Sequence, residues 1–132
     1  MKIPVLLFIA IIVSSGVYAA NSRMHIQSLR SPYSVSAGDP FVVSVGLRQT
    51  SGIRMRDVST RAYLMDTGEI AYADSLSSLK TNTQFVNAIF DTPDDLTPGE
   101  YLVKVTTSVK TKSHDNAQKS QRASKYRYIT VE

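Results

Sequence analysis

The chain opens on an apolar run and then changes period. Residues 3 to 13 are almost entirely Ile, Val, Leu, Phe and Ala, preceded by Lys2 and followed by Ser14-Ser15-Gly16. From residue 24 onward apolar positions recur at every second residue between clusters of Gly, Pro, Ser, Asp and Thr. Period two is the signature of a strand with one buried face, and no segment sustains the helical period. The clearest strand places Phe41, Val43, Val45 and Leu47 on one face and Ser44, Gly46 and Arg48 on the other. A second puts Val58, Thr60, Ala62 and Leu64 opposite Ser59, Arg61, Tyr63 and Met65. A third sets Tyr101, Val103, Val105 and Val109 against Lys104, Thr106, Ser108 and Lys110. Val43, Val45, Val103 and Val105 are therefore expected in the core.

Other stretches are less regular. Residues 24 to 29 form a first strand ended by Ser31-Pro32, and residues 33 to 36 a short edge segment. Residues 70 to 79 fit neither period, because Tyr72, Leu76 and Leu79 fall out of step. Residues 83 to 90 alternate Val86, Ala88 and Phe90 with Phe85, Asn87 and Ile89, which predicts a strand partly covered on both faces. The run from residue 91 to 101, DTPDDLTPGEY, carries two prolines and a glycine and is a connection. Residues 111 to 123 are polar apart from Ala117 and Ala123, and read as a loop or a twisted hairpin end. In the last strand, residues 125 to 131, Tyr126 and Tyr128 compete with Ile129 and Val131 for the core. About seven short strands at this spacing predict an all-β, immunoglobulin-like antiparallel sandwich.

The opening run has the parts of a secretory signal peptide: a positive start, an apolar core, and Val17-Tyr18-Ala19 with small or modest residues at the −3 and −1 positions. Cleavage before Ala20 divides the chain into a signal peptide at 1–19 and one sandwich domain at 20–132. A retained membrane anchor is the competing reading. It has to accommodate Pro4, two serines and a glycine in the 18 residues from 3 to 20, at the short limit for crossing a bilayer.

Three stretches carry a family resemblance. SPYSVSAGDPFVVSVGLRQTSGIRMRDV at residues 31 to 58, DTPDDLTPGEYLVKVTTS from residue 91, and the terminal KYRYITVE resemble the CARDB-type immunoglobulin-like cell-surface modules of archaea and bacteria. The matching positions are Ala37-Gly38-Asp39, Phe41, Asp57-Val58 and Pro98-Gly99-Glu100-Tyr101. Where that family has Asn-Thr-Gly, this chain has Gln49-Thr50-Ser51-Gly52, one residue longer. The resemblance implies a fold and a surface-exposed structural or adhesive role, and no activity.

The matched residues have physical readings of their own. Gly38 and Gly99 sit where a turn asks for positive φ. Tyr101, opening a strand after Pro-Gly-Glu, suits a tyrosine corner, whose phenol reaches back to the preceding connection.

Composition narrows the chemistry. There is no cysteine, which removes disulfides, thiolate metal sites and a lipid-modified cysteine. His25 and His114 stand far apart among polar neighbours. Asp91, Asp94 and Asp95 lack the Asp-x-Asp-x-Asp-Gly register of a calcium loop, and read as a solvated turn. No nucleophile elbow, zinc-binding helix or phosphate loop occurs. No enzyme activity, metal or cofactor is expected.

Charge adds one feature. Without Lys2 the chain has 14 basic residues against 11 acidic ones, a formal +3, and Lys110, Lys112, Lys119, Arg122, Lys125 and Arg127 crowd its last part. Such a segment either keeps an edge strand soluble or attracts an anionic envelope polymer or lipid head groups. Nucleic acid is disfavoured by the export signal and by the lack of a stacking platform or recognition helix. The expectation is a non-catalytic secreted or cell-envelope module that binds protein or glycan partners through loops and sheet edges. The alternative is a subunit of an extracellular filament joined by strand addition.

Overall fold

The computed structural model describes residues 24 to 112 and 118 to 132, and within them the protein is all-β. The expected leader and His114 lie outside the described residues. In chain order the strands are β1 (Met24–Arg30), β2 (Ser34–Val35), β3 (Pro40–Gln49), β4 (Met55–Leu64), β5 (Glu69–Tyr72), β6 (Leu76–Leu79), β7 (Gln84–Asp91), β8 (Gly99–Lys112) and β9 (Gln118–Val131). The irregular stretch from residue 70 to 79 resolves into two four-residue strands, both antiparallel to β4, which explains why neither period fitted it.

Two sheets result. The smaller has the order β1-β3-β7; the larger runs β2-β9-β8-β4-β5, with β6 also paired to β4. All pairings are antiparallel except that of β2 with the end of β9. One apolar core lies between the sheets. The smaller sheet contributes Phe41, Val43, Val45, Leu47, Val86, Ala88 and Phe90, with the Phe41 and Phe90 rings stacked at 4.9 Å. The larger contributes Val58, Ala62, Leu64, Val103, Val105, Val109, Ile129 and Val131. The four valines expected inside are there, and Ile129 and Val131 win the contest with Tyr126 and Tyr128.

Two expectations are revised and one alternative is resolved. Phe85 and Ile89 are exposed, so β7 is covered on one face only. Gly46, expected outside, is buried, because the position a Cβ would take is filled by the side chains of Ser28, Phe85 and Thr83. Of the two readings for residues 111 to 123, the hairpin end holds: β8 and β9 ladder without interruption from Gly99↔Val131 to Lys112↔Gln118. Backbone pairing needs no apolar side chains, so hydropathy alone does not separate the two readings.

Several buried polar groups are paired, while the Ser28 hydroxyl and the Gln121 side-chain oxygen are buried without a hydrogen-bond partner among the described residues. Thr60 and Thr107 are buried and their hydroxyls meet at 2.9 Å across β4 and β8. Buried Gln49 donates its side-chain amide to the Leu79 carbonyl, tying β3 to β6. The Tyr101 hydroxyl donates to the Thr97 carbonyl at 2.6 Å, the bond a tyrosine corner makes. Gly38 has φ +86°, and a side chain there would run into the Asp94 carboxylate. Gly99 has φ +154° with open space around it.

Candidate functional site

The outer face of the larger sheet gathers side chains that the sequence scatters. Residues directly opposite each other in an antiparallel pair share a face, so the register assigns this surface row by row. Tyr128 lies opposite Leu102. The next row crosses four strands as Tyr126, Lys104, Tyr63 and Ile70. Then come Ser124, Thr106, Arg61 and Tyr72. Arg122, Ser108 and Ser59 follow, and last Ser120, Lys110 and Arg56. With strands about 4.8 Å apart and same-face residues about 6.8 Å apart along each strand, the five rows cover roughly 27 Å by 14 Å.

The rows grade from aromatic to basic. Tyr72, Tyr126 and Tyr128 are 69%, 53% and 63% exposed, and Tyr63 is half-buried between them. The Lys104 ammonium lies 5.9 Å from the Tyr126 ring centroid, an attraction between cation and ring face that holds both side chains over the sheet. Hydroxyl pairs mark the middle, Thr106 with Ser124 at 3.0 Å and Ser59 with Ser108 at 2.8 Å. At the basic end a shallow hollow of about 370 Å³ is lined by Asp57, Ser59, Ser108, Lys110, Ser120 and Arg122. Asp57, at φ 51° where the β4–β8 register shifts, reaches Lys110 at 3.9 Å.

The six basic residues marked by the sequence do not form one cluster. Lys110 and Arg122 are outward on β8 and β9 and flank the hollow. Lys112 and Lys119 fall at the far end of the hairpin ladder. Lys125 is exposed but occupies the opposite parity of β9 from Tyr126. Arg127 turns toward the smaller sheet. Its guanidinium donates to the Leu29 carbonyl at 3.2 Å and the Ser31 carbonyl at 3.5 Å, and stands 5.4 Å from the Tyr33 ring centroid. It thereby ties β9 to the outer edge of β1.

The tyrosines were not marked as a site by the sequence. The available signal was parity: Tyr63 alternates with core residues of β4, and Tyr126 and Tyr128 with core residues of β9. Tyr72 carried no such signal, since it reaches this face only through the pairing of β5 with β4. Of the other marked groups, His25 meets Thr50 at the surface at 3.3 Å, while Asp91, Asp94 and Asp95 are exposed around the β7–β8 connection. Among the described residues no three His, Cys, Asp or Glu side chains converge.

These geometries define a two-sheet immunoglobulin-like β-sandwich. No protein-family model matches the sequence, and a search of curated proteins found no relative. Solved structures are similar to this chain. A Pseudomonas fluorescens alkylpurine DNA glycosylase, AlkC, bound to DNA with an abasic-site analogue, is similar over 85% of this chain at 14% identity and TM-score 0.57. This chain spans 31% of that protein's length. The CARDB domain of PF1109 from Pyrococcus furiosus, in complex with di-metal ions, is similar over 78% of this chain and 83% of its own, at 15% identity and TM-score 0.49. Murine CRIg is similar over 79% of this chain and 94% of its own, at 13% identity and TM-score 0.34.

Proposed function

We propose that the protein is a non-catalytic secreted or cell-envelope interaction module that engages a protein or glycan partner through the outer face of its larger sheet. The observation that carries this reading is the exposure of Tyr72, Tyr126 and Tyr128 on one face of a hydrogen-bonded sheet together with Arg61, Lys104, Lys110 and Arg122. Tyrosine offers a broad apolar contact with a polar tip and few rotatable bonds, and with arginine it is the side chain enriched where proteins bind partners. Export follows from the leader pattern of residues 1 to 19.

The filament alternative asks for an open sheet edge. β2 covers only the last two residues of β9, which leaves a long edge. That strand carries Lys119, Arg122, Lys125 and Arg127, and charge along an edge opposes strand addition. At the smaller sheet, Arg127 occupies carbonyls beside β1, and a bridge from Ala73 to Ala88 meets β7.

The test is retention of envelope components from the native host by the purified protein, alongside a variant with Tyr72 and Tyr126 both changed to Ser. A partner retained by the first and lost by the second is the expected result. Equal retention by both, or concentration-dependent polymers in electron micrographs, would overturn it.

A further inference from the structure

Resting on that reading, we infer that the face takes an acidic polysaccharide, with pyranose rings stacked on the tyrosines and acidic groups held at the basic, hydroxyl-lined end.

The chemistry of the rows supplies the match. A pyranose ring has an apolar C–H face and a hydroxyl rim, so it needs a flat aromatic surface with hydrogen-bonding groups beside it. Tyr126 and Tyr63 lie two strands apart, roughly 10 Å, with Lys104 between them. Tyr72 lies one strand and one row from Tyr63. Successive ring-sized contacts are therefore laid out along a surface that nothing in the described chain covers. The hydroxyls of Thr106, Ser124, Ser59 and Ser108 continue the surface, and a hydroxyl both donates and accepts, as a sugar's own hydroxyls require.

Charge selects the kind of polysaccharide. Arg56, Arg61, Lys104, Lys110 and Arg122 point to this side; Glu100 stands at the aromatic end, and Asp57 lines the basic hollow, where it pairs with Lys110 at 3.9 Å and an acidic ligand group has to displace it. A neutral glycan would accept hydrogen bonds from those cations but gain no charge attraction. A uronate or sulfate group above the hollow between Lys110 and Arg122 would be drawn to them and bonded by the serine hydroxyls that line it. The other outward sheet face lacks this combination: Val42, Phe85 and Ile89 are exposed there and Arg30 and Arg48 share the face, but no tyrosine lies in its register rows. Polyanion attraction alone would not need the tyrosines, so the two ends of the face make separable contributions.

The experiment measures affinity of the purified protein for oligogalacturonate and for polyglutamate of equal charge, which has no sugar ring. Wild type is expected to prefer oligogalacturonate. The pair Tyr72→Ser with Tyr126→Ser should weaken oligogalacturonate binding about tenfold or more and leave polyglutamate binding unchanged, as lost stacking contacts imply. Lys110→Ser with Arg122→Ser should weaken both and flatten the salt dependence. Ile89→Ser, on the other sheet, should change neither. Because substitutions can perturb folding, the unsubstituted protein is also treated with a tyrosine-nitrating reagent. Oligogalacturonate is expected to protect Tyr72, Tyr126 and Tyr128 and to leave Tyr33 reactive. Equal affinity for the two polymers, parallel losses in the tyrosine pair, or no protection would overturn the inference. Retention of an envelope protein through the same tyrosines, with oligogalacturonate unbound, would overturn it while leaving the interaction module standing. Failure of both would remove both.

Discussion

The two faces of the larger sheet are built from the same strands and often from adjacent residues, yet they obey different rules. On the inner face Ala62, Leu64, Val103, Val105, Ile129 and Val131 are buried to 1% exposure or less. One position away, Tyr63, Leu102, Lys104, Tyr126 and Tyr128 face out. The inner face is selected by volume and dryness, and two of its buried polar side chains, Thr60 and Thr107, bond to each other. The outer face has no packing constraint of that kind, so a row of large aromatic side chains there is spent on something other than the core.

Substitutions can break that contrast, beginning where the effect is largest. Val105→Asp places an unpaired carboxylate in the core and should cost more than about 4 kcal/mol, enough to unfold a marginal domain. Lys104→Asp, its neighbour, should stay within about 0.5 kcal/mol in the same urea titration. Comparable losses at both positions would erase the distinction between the faces.

The threonine pair gives a subtler effect. Thr107→Val leaves the Thr60 hydroxyl buried without its partner and should cost about 1 to 3 kcal/mol; the double change to Val at both should recover most of it. A double-mutant cycle by denaturant unfolding reads the coupling directly. Arg127→Met, which keeps the aliphatic stem but not the bonds to Leu29 and Ser31, should cost about 1 kcal/mol in thermal unfolding. The smallest change is expected at the outer face, where Tyr72→Ser with Tyr126→Ser should shift stability by no more than about 0.5 kcal/mol per site while removing partner binding.

How far the sequence could be read follows the same division. In β3 and β8 strict alternation of Val with polar residues identifies the buried face, because burial on one side leaves a period-two imprint. In β5 and β6 the elements are too short for any imprint. At the far end of the β8–β9 hairpin the sequence left loop and hairpin open, because pairing made by backbone alone leaves no apolar imprint. The basic residues were visible as a count along the chain, but which of them share a surface depends on register. Lys110 and Arg122 meet at one hollow, whereas Arg127, two residues beyond Lys125, is drawn to β1. Tyr63 and Tyr72 come from the neighbouring strands of the β4–β5 hairpin, but Tyr126 comes from β9, and only the order β9-β8-β4-β5 sets all three on one face.

The most direct measurement is a map of amide and tyrosine-ring chemical-shift changes in the isotope-labelled protein as oligogalacturonate is added. Shifts confined to Tyr63, Tyr72, Tyr126, Tyr128 and the row from Ser59 to Arg122 are the predicted result. Shifts centred on Val42, Phe85 and Ile89, or spread evenly over the lysines and arginines of the whole surface, would contradict a ligand face on the larger sheet.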